Sequence, residues 1–215
     1  AGRVSRRNLR DLRVKAARSD TQAFYLAWYL DQVRPDVPVN LVGYSFGARV
    51  ITGALHMLGG GQAAGYALPQ RQTARRRPAR VVLVAAAVDN DWLLPGHSHG
   101  QALGQIEHLL VTENGRDRAL RWYPALARRG RPHALGSAGA GRLSTLGSGR
   151  HQIEVVRVGS WVGKVHDWAR YLNAPELRAR LPSYAFLDLS DEDGDESPIL
   201  AGVPDGDDNR PAGRN

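Results

Sequence analysis

The pentapeptide Gly43-Tyr44-Ser45-Phe46-Gly47 is where residue type and spacing in this chain most clearly allow chemistry. Glycines on either side of a serine permit a close reversal of the chain, and such a turn pushes the serine hydroxyl into the open. A serine hydroxyl is a poor nucleophile near neutral pH. It needs a base within hydrogen-bond reach, and the base needs an acidic partner that holds its tautomer and stabilises its charged form. Seven histidines offer the base, and Asp89, Glu113 and Asp117 offer the acid.

The elements around the pentapeptide suit that role. Val39, Leu41 and Val42 form a short apolar run before it. Val50, Ile51, Ala54, Leu55 and Leu58 follow at helical spacing, stopped by Gly59-Gly60-Gly61. This is strand, sharp turn and helix, the context in which Gly-x-Ser-x-Gly has mechanical meaning. On this reading a Cβ at Gly43 or Gly47 collides with the flanking chain, and Ser45 takes a strained conformation. The helix N-terminus offers a backbone donor, the Phe46 N–H, to a developing oxyanion.

Upstream, residues 1–18 are basic and read as a surface helix or a frayed lead-in. Ser19 with Gln22 resembles a capping box opening a helix through Ala23, Phe24, Ala27, Trp28 and Leu30, closed by Pro35. Downstream, Arg80 to Val88 is apolar at every position after the first, as a parallel strand covered on both faces would be. Gln101 to Glu107 reads as a helix and His108 to Glu113 as a strand. Another helix starts at Asp117 and is interrupted at Pro124. Gly130 to Gly149 is a Gly-, Ala- and Ser-rich excursion, His151 to Val158 a fourth strand, and His166 to Tyr171 the start of a last helix.

A helix followed by strand and helix alternating four times predicts an α/β fold, a parallel sheet with helices on both faces. Chemistry in such sheets collects at the carboxyl edge. Ser45, Asp89, Asp117 and the loop carrying His166 each follow a predicted strand and are expected to share that edge. His56 lies inside the helix after the serine, His108 and His151 open strands at the opposite edge, and His133 sits in the excursion. His97 and His99 beside Asp89 and Asp91 invite a metal reading, but no third ligand stands at a recognisable spacing, so no metal is expected. Gly139-Ala140-Gly141 follows no strand and lacks the Gly-Lys-Ser/Thr ending of a phosphate loop. Trp92, Trp122 and Tyr123 could line a pocket at the active edge or pack in the core.

Length and charge bound the rest. A chain of 215 residues suffices for one domain with a real core. The absence of cysteine excludes disulfides and thiolate metal sites and leaves the compartment open. The net charge of +8 is unevenly spread, with nine acids against two arginines from Asp188 onward and 27 basic against 12 acidic residues before it. This divides the chain into a domain over 1–187 and an acidic tail over 188–215 that is expected to be disordered. Arg75-Arg76-Arg77 has no aromatic neighbour to stack on bases, so no nucleic-acid partner is expected. No apolar run approaches the length of a transmembrane segment.

The order Ser45, Asp117, His166, with the elbow between strand and helix, resembles the α/β-hydrolase superfamily. The segments DNDWLLPG, DRALRWYP and VGKVHDWARYL are similar to a bacterial group of these hydrolases without established substrates. The resemblance runs from about Ala16 to Pro175. It implies Ser45 as nucleophile, Asp117 as the triad acid after the next-to-last strand, and His166 as general base. It also implies a small-molecule acyl substrate with an ester or related bond, and no cofactor. Asp89 is the alternative acid, at a position some lipase-like members use. The sequence departs from the family in showing four strands, the C-terminal portion of the fold, without the N-terminal strands and the loop that would supply a second oxyanion donor. Either the N-terminal half of the fold lies outside this sequence, or the protein is a reduced form with an exposed sheet edge beside the serine strand. An unpaired apolar edge is an aggregation liability, so truncation is the expectation. The alternatives are a non-catalytic binding protein on the same fold, or an inactive truncated fragment.

Overall fold

A computed structural model describes residues 6–34, 36–69, 79–126, 132–139, 141 and 152–184. The acidic tail, the arginine run at 75–77 and most of the glycine-rich excursion lie outside the described residues. Four strands, β1 (Val39–Tyr44), β2 (Ala79–Val84), β3 (Ile106–Glu113) and β4 (Gln152–Arg157), form one sheet in sequence order, and every pair is parallel. The strands alternate as a sheet covered on both faces requires. Val81, Leu83, Leu109 and Val111 enter one core cluster, whereas Val82, Val84, Leu110 and Val156 enter the other.

The first face is covered by α2 (Phe46–Leu58) through Ala48, Ile51 and Leu55. Outside α2 lies α1 (Arg6–Gln32), a single helix of 27 residues. Ala16, Ser19, Ala23, Ala27 and Leu30 recur every three or four residues and form its buried stripe. Small residues allow the close approach, and a Cβ on Gly53 of α2 would sit 2.9 Å from the Ala23 Cβ. The capping box expected at Ser19 does not form. The helix runs straight through it, and the Ser19 hydroxyl donates to the Lys15 carbonyl one turn back at 2.9 Å, satisfying itself within the helix.

The connections after β2 depart further from the expected alternation. β2 stops at Val84 because Ala85 takes a left-handed φ of 48°, with its N–H donated to Thr112 Oγ1 on β3 at 2.9 Å. Residues 101–107 do not form the expected α-helix. A short 3-10 helix covers Ala102–Gln105, and β3 begins at Ile106, two residues before the expected strand. The helix expected from Asp117 is a 3-10 helix over Leu120–Leu126 with Pro124 inside it. A single turn, α3 (Leu135–Ala138), tucks against the sheet end, where Gly136 N–H donates to the Ala86 carbonyl and Asn114 N–H to the Gly136 carbonyl. Among the described residues, β4 is followed by four short helices, α4 (Gly159–Val162), α5 (Trp168–Leu172), α6 (Pro175–Arg178) and α7 (Leu181–Tyr184). Tyr171, Ala174, Leu177 and Tyr184 from this run close the second face.

Among the described residues β1 has β2 as its one neighbour, so it forms a sheet edge on which Val42 remains 51% exposed. No helix among the described residues is long and apolar enough to cross a membrane.

The two elbow glycines differ. A Cβ on Gly43 would come within 2.8 Å of Ile51 Cδ1 and 2.9 Å of Ala48 N, because the start of α2 folds back over β1. A Cβ on Gly47 would meet nothing within 4 Å, since that residue lies on the open side of the first helical turn; the expected collision there is absent. Gly43→Ala should therefore cost about 1–3 kcal/mol of stability in chemical denaturation, and Gly47→Ala close to nothing. Equal losses at the two positions would contradict this packing.

Candidate active site

Ser45 sits between the last residue of β1 and the first of α2 with φ 53° and ψ −118°. A non-glycine residue at positive φ carries a cost of roughly 1–3 kcal/mol unless its surroundings hold it. They do. Ser45 N–H donates to the Val84 carbonyl at 2.9 Å, and the Ser45 carbonyl accepts from Ala87 N–H at 3.0 Å and Ala48 N–H at 3.2 Å. The end of β2 and the segment just after it thus anchor the turn on both sides. The Phe46 and Gly47 N–H groups lie in the opening turn of α2, where the helix itself supplies no acceptor.

The structure brings His166 and Asp117 to this serine. His166 Nε2 lies 3.0 Å from Ser45 Oγ, and His166 Nδ1 lies 2.7 Å from Asp117 Oδ2. A carboxylate can only accept, so Nδ1 carries the proton and Nε2 is the free acceptor facing the serine hydroxyl. Asp117, in the loop after β3, is fully buried. Burial pushes its carboxyl up, but hydrogen bonds from His166 and Tyr171, the His166 charge and the Leu120 N–H outweigh it, and the net shift is downward. Asp117 Oδ1 also accepts from the N–H groups of Ala119 at 2.8 Å and Leu120 at 3.2 Å, opening the 3-10 helix. The capping role and the histidine contact coexist on one side chain.

His166 lies in the loop between α4 and α5, its ring tilted against Tyr44 with centroids 5.0 Å apart. Desolvation first, then the charges of Asp117 and Asp167, push the Tyr44 phenol up to about 12. The groups open onto a cleft of about 410 Å³ lined by Leu12, Lys15, Tyr44, Phe46, Ala87 and Tyr123, among others. Its walls are mainly apolar. Leu12 and Lys15 had no signal in the sequence, because they reach the cleft only through the way α1 crosses the molecule. Tyr44 stands inside the pentapeptide, yet nothing local marks it as the ring that flanks the imidazole.

The other acids stay apart. Asp89 accepts a hydrogen bond from the Tyr123 hydroxyl and lines a neighbouring cleft of about 300 Å³ with Arg13, Arg49 and Trp92. Burial raises its carboxyl above the usual range, against the lowering effects of Tyr123 and Arg49. His166 Nδ1 is on Asp117, so the alternative acid position is not the one brought to the imidazole. Glu113 ends β3 and pairs with Arg157 at 3.7 Å. Of the three aromatic residues considered for a pocket, Tyr123 lines the serine cleft, Trp92 the neighbouring one, and Trp122 a third beside Arg121 and His133.

His97 and His99 diverge. His97 faces Asp91 at 3.5 Å on the surface, while His99 is 2% exposed, 2.8 Å from Thr52 Oγ1 and edge-on to Trp92. Among the described residues no group of three or more His, Asp or Glu side chains converges as a metal site would.

With that geometry in place, comparison with known proteins finds no matching family model, no matching curated protein and no matching solved structure. The chain's class is the one its own sheet defines, a parallel α/β fold.

Burial first, then the charges of Arg49 and His56, lowers the His99 imidazole from 6.5 to about 3. The unfolded chain takes up this proton as pH falls through 6.5, and the folded chain refuses it until about 3, so stability rises with pH across that window. Moving from about pH 7.5 to about pH 5 should cost on the order of 2 kcal/mol from this residue. Denaturation curves at the two pH values should show the loss, and His99→Gln should flatten it. An undiminished loss in that variant would assign the effect elsewhere.

Proposed function

We propose that this chain is a serine hydrolase of α/β-hydrolase type, built on the C-terminal portion of that fold, acting on an ester or related acyl bond. The observation that carries the reading is His166, with one ring nitrogen 3.0 Å from Ser45 Oγ and the other 2.7 Å from the buried Asp117 carboxylate. A serine at positive φ between a parallel strand and a helix adds weight, because that turn presents the hydroxyl and the opening N–H groups of α2 to the same space.

In this mechanism Ser45 Oγ attacks the substrate carbonyl as its proton passes to His166 Nε2. Asp117 holds the imidazolium through Nδ1 and balances its charge. The Phe46 N–H, at the positive end of the α2 dipole, stabilises the oxyanion. Collapse expels the leaving group, which takes the proton from His166, and leaves an acyl group on Ser45. Water then attacks that acyl-enzyme, with His166 again acting as base, and the acid product is released. The mainly apolar cleft beside Ser45 suits a small acyl group. No cofactor is needed.

A fluorophosphonate probe should label the chain, and Ser45→Ala should abolish the labelling. Asp117→Asn should slow it by on the order of 10⁴-fold, since it presents the wrong group to Nδ1. Undiminished labelling of Ser45→Ala would overturn the assignment. An intact, folded chain that never labels would favour the alternative of a non-catalytic binding protein on this fold.

A further inference from the structure

Two buried polar side chains beside this site have no part in the mechanism just described. Tyr171, on α5, is fully buried, and its hydroxyl lies 2.8 Å from Asp117 Oδ2, the oxygen that also receives His166. Asn114, at the end of β3, is 1% exposed. Its Nδ2 lies 3.1 Å from the Tyr171 hydroxyl and 2.9 Å from the Gly163 carbonyl, in the loop that leads to His166.

Chemistry fixes every proton in this chain of contacts. Asn114 Oδ1 accepts from Arg116 N–H at 3.0 Å, which sets the orientation of the amide. Nδ2 can only donate, so Tyr171 accepts from it. A carboxylate can only accept, so the Tyr171 proton points at Asp117. Donation therefore runs one way, from Asn114 to Tyr171 to Asp117, and meets His166 from the other side. With Ala119 and Leu120 on Oδ1, the carboxylate receives four donors, which fills its lone-pair sites and prevents its rotation.

Resting on the serine hydrolase reading, we infer that Tyr171, oriented by Asn114, is a positioning residue that locks Asp117 toward His166 and sets how firmly the imidazole holds its proton. A hydroxyl donating to Oδ2 withdraws charge from the oxygen that stabilises the imidazolium. Burial first, and then the bond to Asp117, push the Tyr171 phenol above its usual range, so the hydroxyl stays protonated and stays a donor. The ionisable groups around the pair are His166 and Asp167 in the loop before α5, Tyr44 of β1 and Lys15 of α1 across the cleft. Arg116, Arg118, Arg121 and Arg170 on the adjoining segments are exposed to solvent.

The test is the pH dependence of the second-order rate of fluorophosphonate labelling. In Tyr171→Phe the carboxylate keeps more charge, so the acidic limb of the profile should move up by about half a pH unit to one unit. The rate on the plateau should fall about tenfold through the inactivation step rather than through probe binding. Incorporation of 2,3-difluorotyrosine at position 171 keeps the ring and strengthens the donor, so it should move the limb the opposite way, and it serves also if the phenylalanine variant fails to fold. Tyr184→Phe, at a buried tyrosine against Glu154, should leave the profile unchanged. A wild-type profile in both Tyr171 variants, with wild-type labelling lost in Ser45→Ala, would overturn the inference and leave the hydrolase reading standing. No labelling of the wild-type chain would overturn both.

Discussion

A charged carboxylate with no exposure to water is the constraint on which the rest of this structure turns. An ion inside a protein is tolerated only when partners replace the water it has lost. Asp117 gathers them from separate pieces of chain: two N–H groups opening the 3-10 helix, the imidazole of His166 and the hydroxyl of Tyr171. Satisfying one charge thereby ties the end of β3 to the loop and helix that follow β4. Asn114 repeats the tie through Gly163, and Arg118 N–H does so again through the Lys164 carbonyl at 3.2 Å. The imidazole is held where it is because the carboxylate must be paired.

The opposite side of the site depends on strain rather than charge. Ser45 stays at positive φ because the end of β2 and the residues just beyond it grip the turn, accepting its N–H at Val84 and donating to its carbonyl from Ala87. β2 contributes no side chain to the serine–histidine–aspartate set, yet it stands between the strand that leads to Ser45 and the strand that leads to Asp117. The parallel register of three adjacent strands thus sets the separation that His166 spans with hydrogen bonds of 3.0 and 2.7 Å.

Replacement of two expected crossover helices by loops and 3-10 turns has consequences for the cleft. The segment after Asp117 stays short and brings Ala119, Leu120 and Tyr123 to the cleft wall. α1 supplies the opposite wall with Leu12 and Lys15, and Arg13 reaches toward the Ala125 carbonyl on the 3-10 helix. A helix that reads in sequence as a basic surface element therefore also borders the site. Asp89 and Tyr123 satisfy each other one cleft away, which keeps a second, half-buried acid from competing for the imidazole.

What the sequence determined by itself was whatever depends on near neighbours in the chain. Short apolar runs marked the four strands, helical spacing after Phe46 marked α2, and the glycine-flanked serine marked the turn, because strand, turn and helix are set by local sterics and periodicity. Strand endings also marked Ser45, Asp89, Asp117 and His166 as residues sharing one edge. Only the tertiary structure decided which acid meets His166, because Asp89 and Asp117 both follow strands and differ in what packs around them. It alone decided that Gly43 is hemmed in and Gly47 is free, that Ser19 lies within a continuous helix, and that Tyr171 donates to Asp117. Each of these depends on atoms brought close by packing between segments distant in sequence, or by the way one helix turns over its neighbouring strand, and no local pattern encodes such an approach.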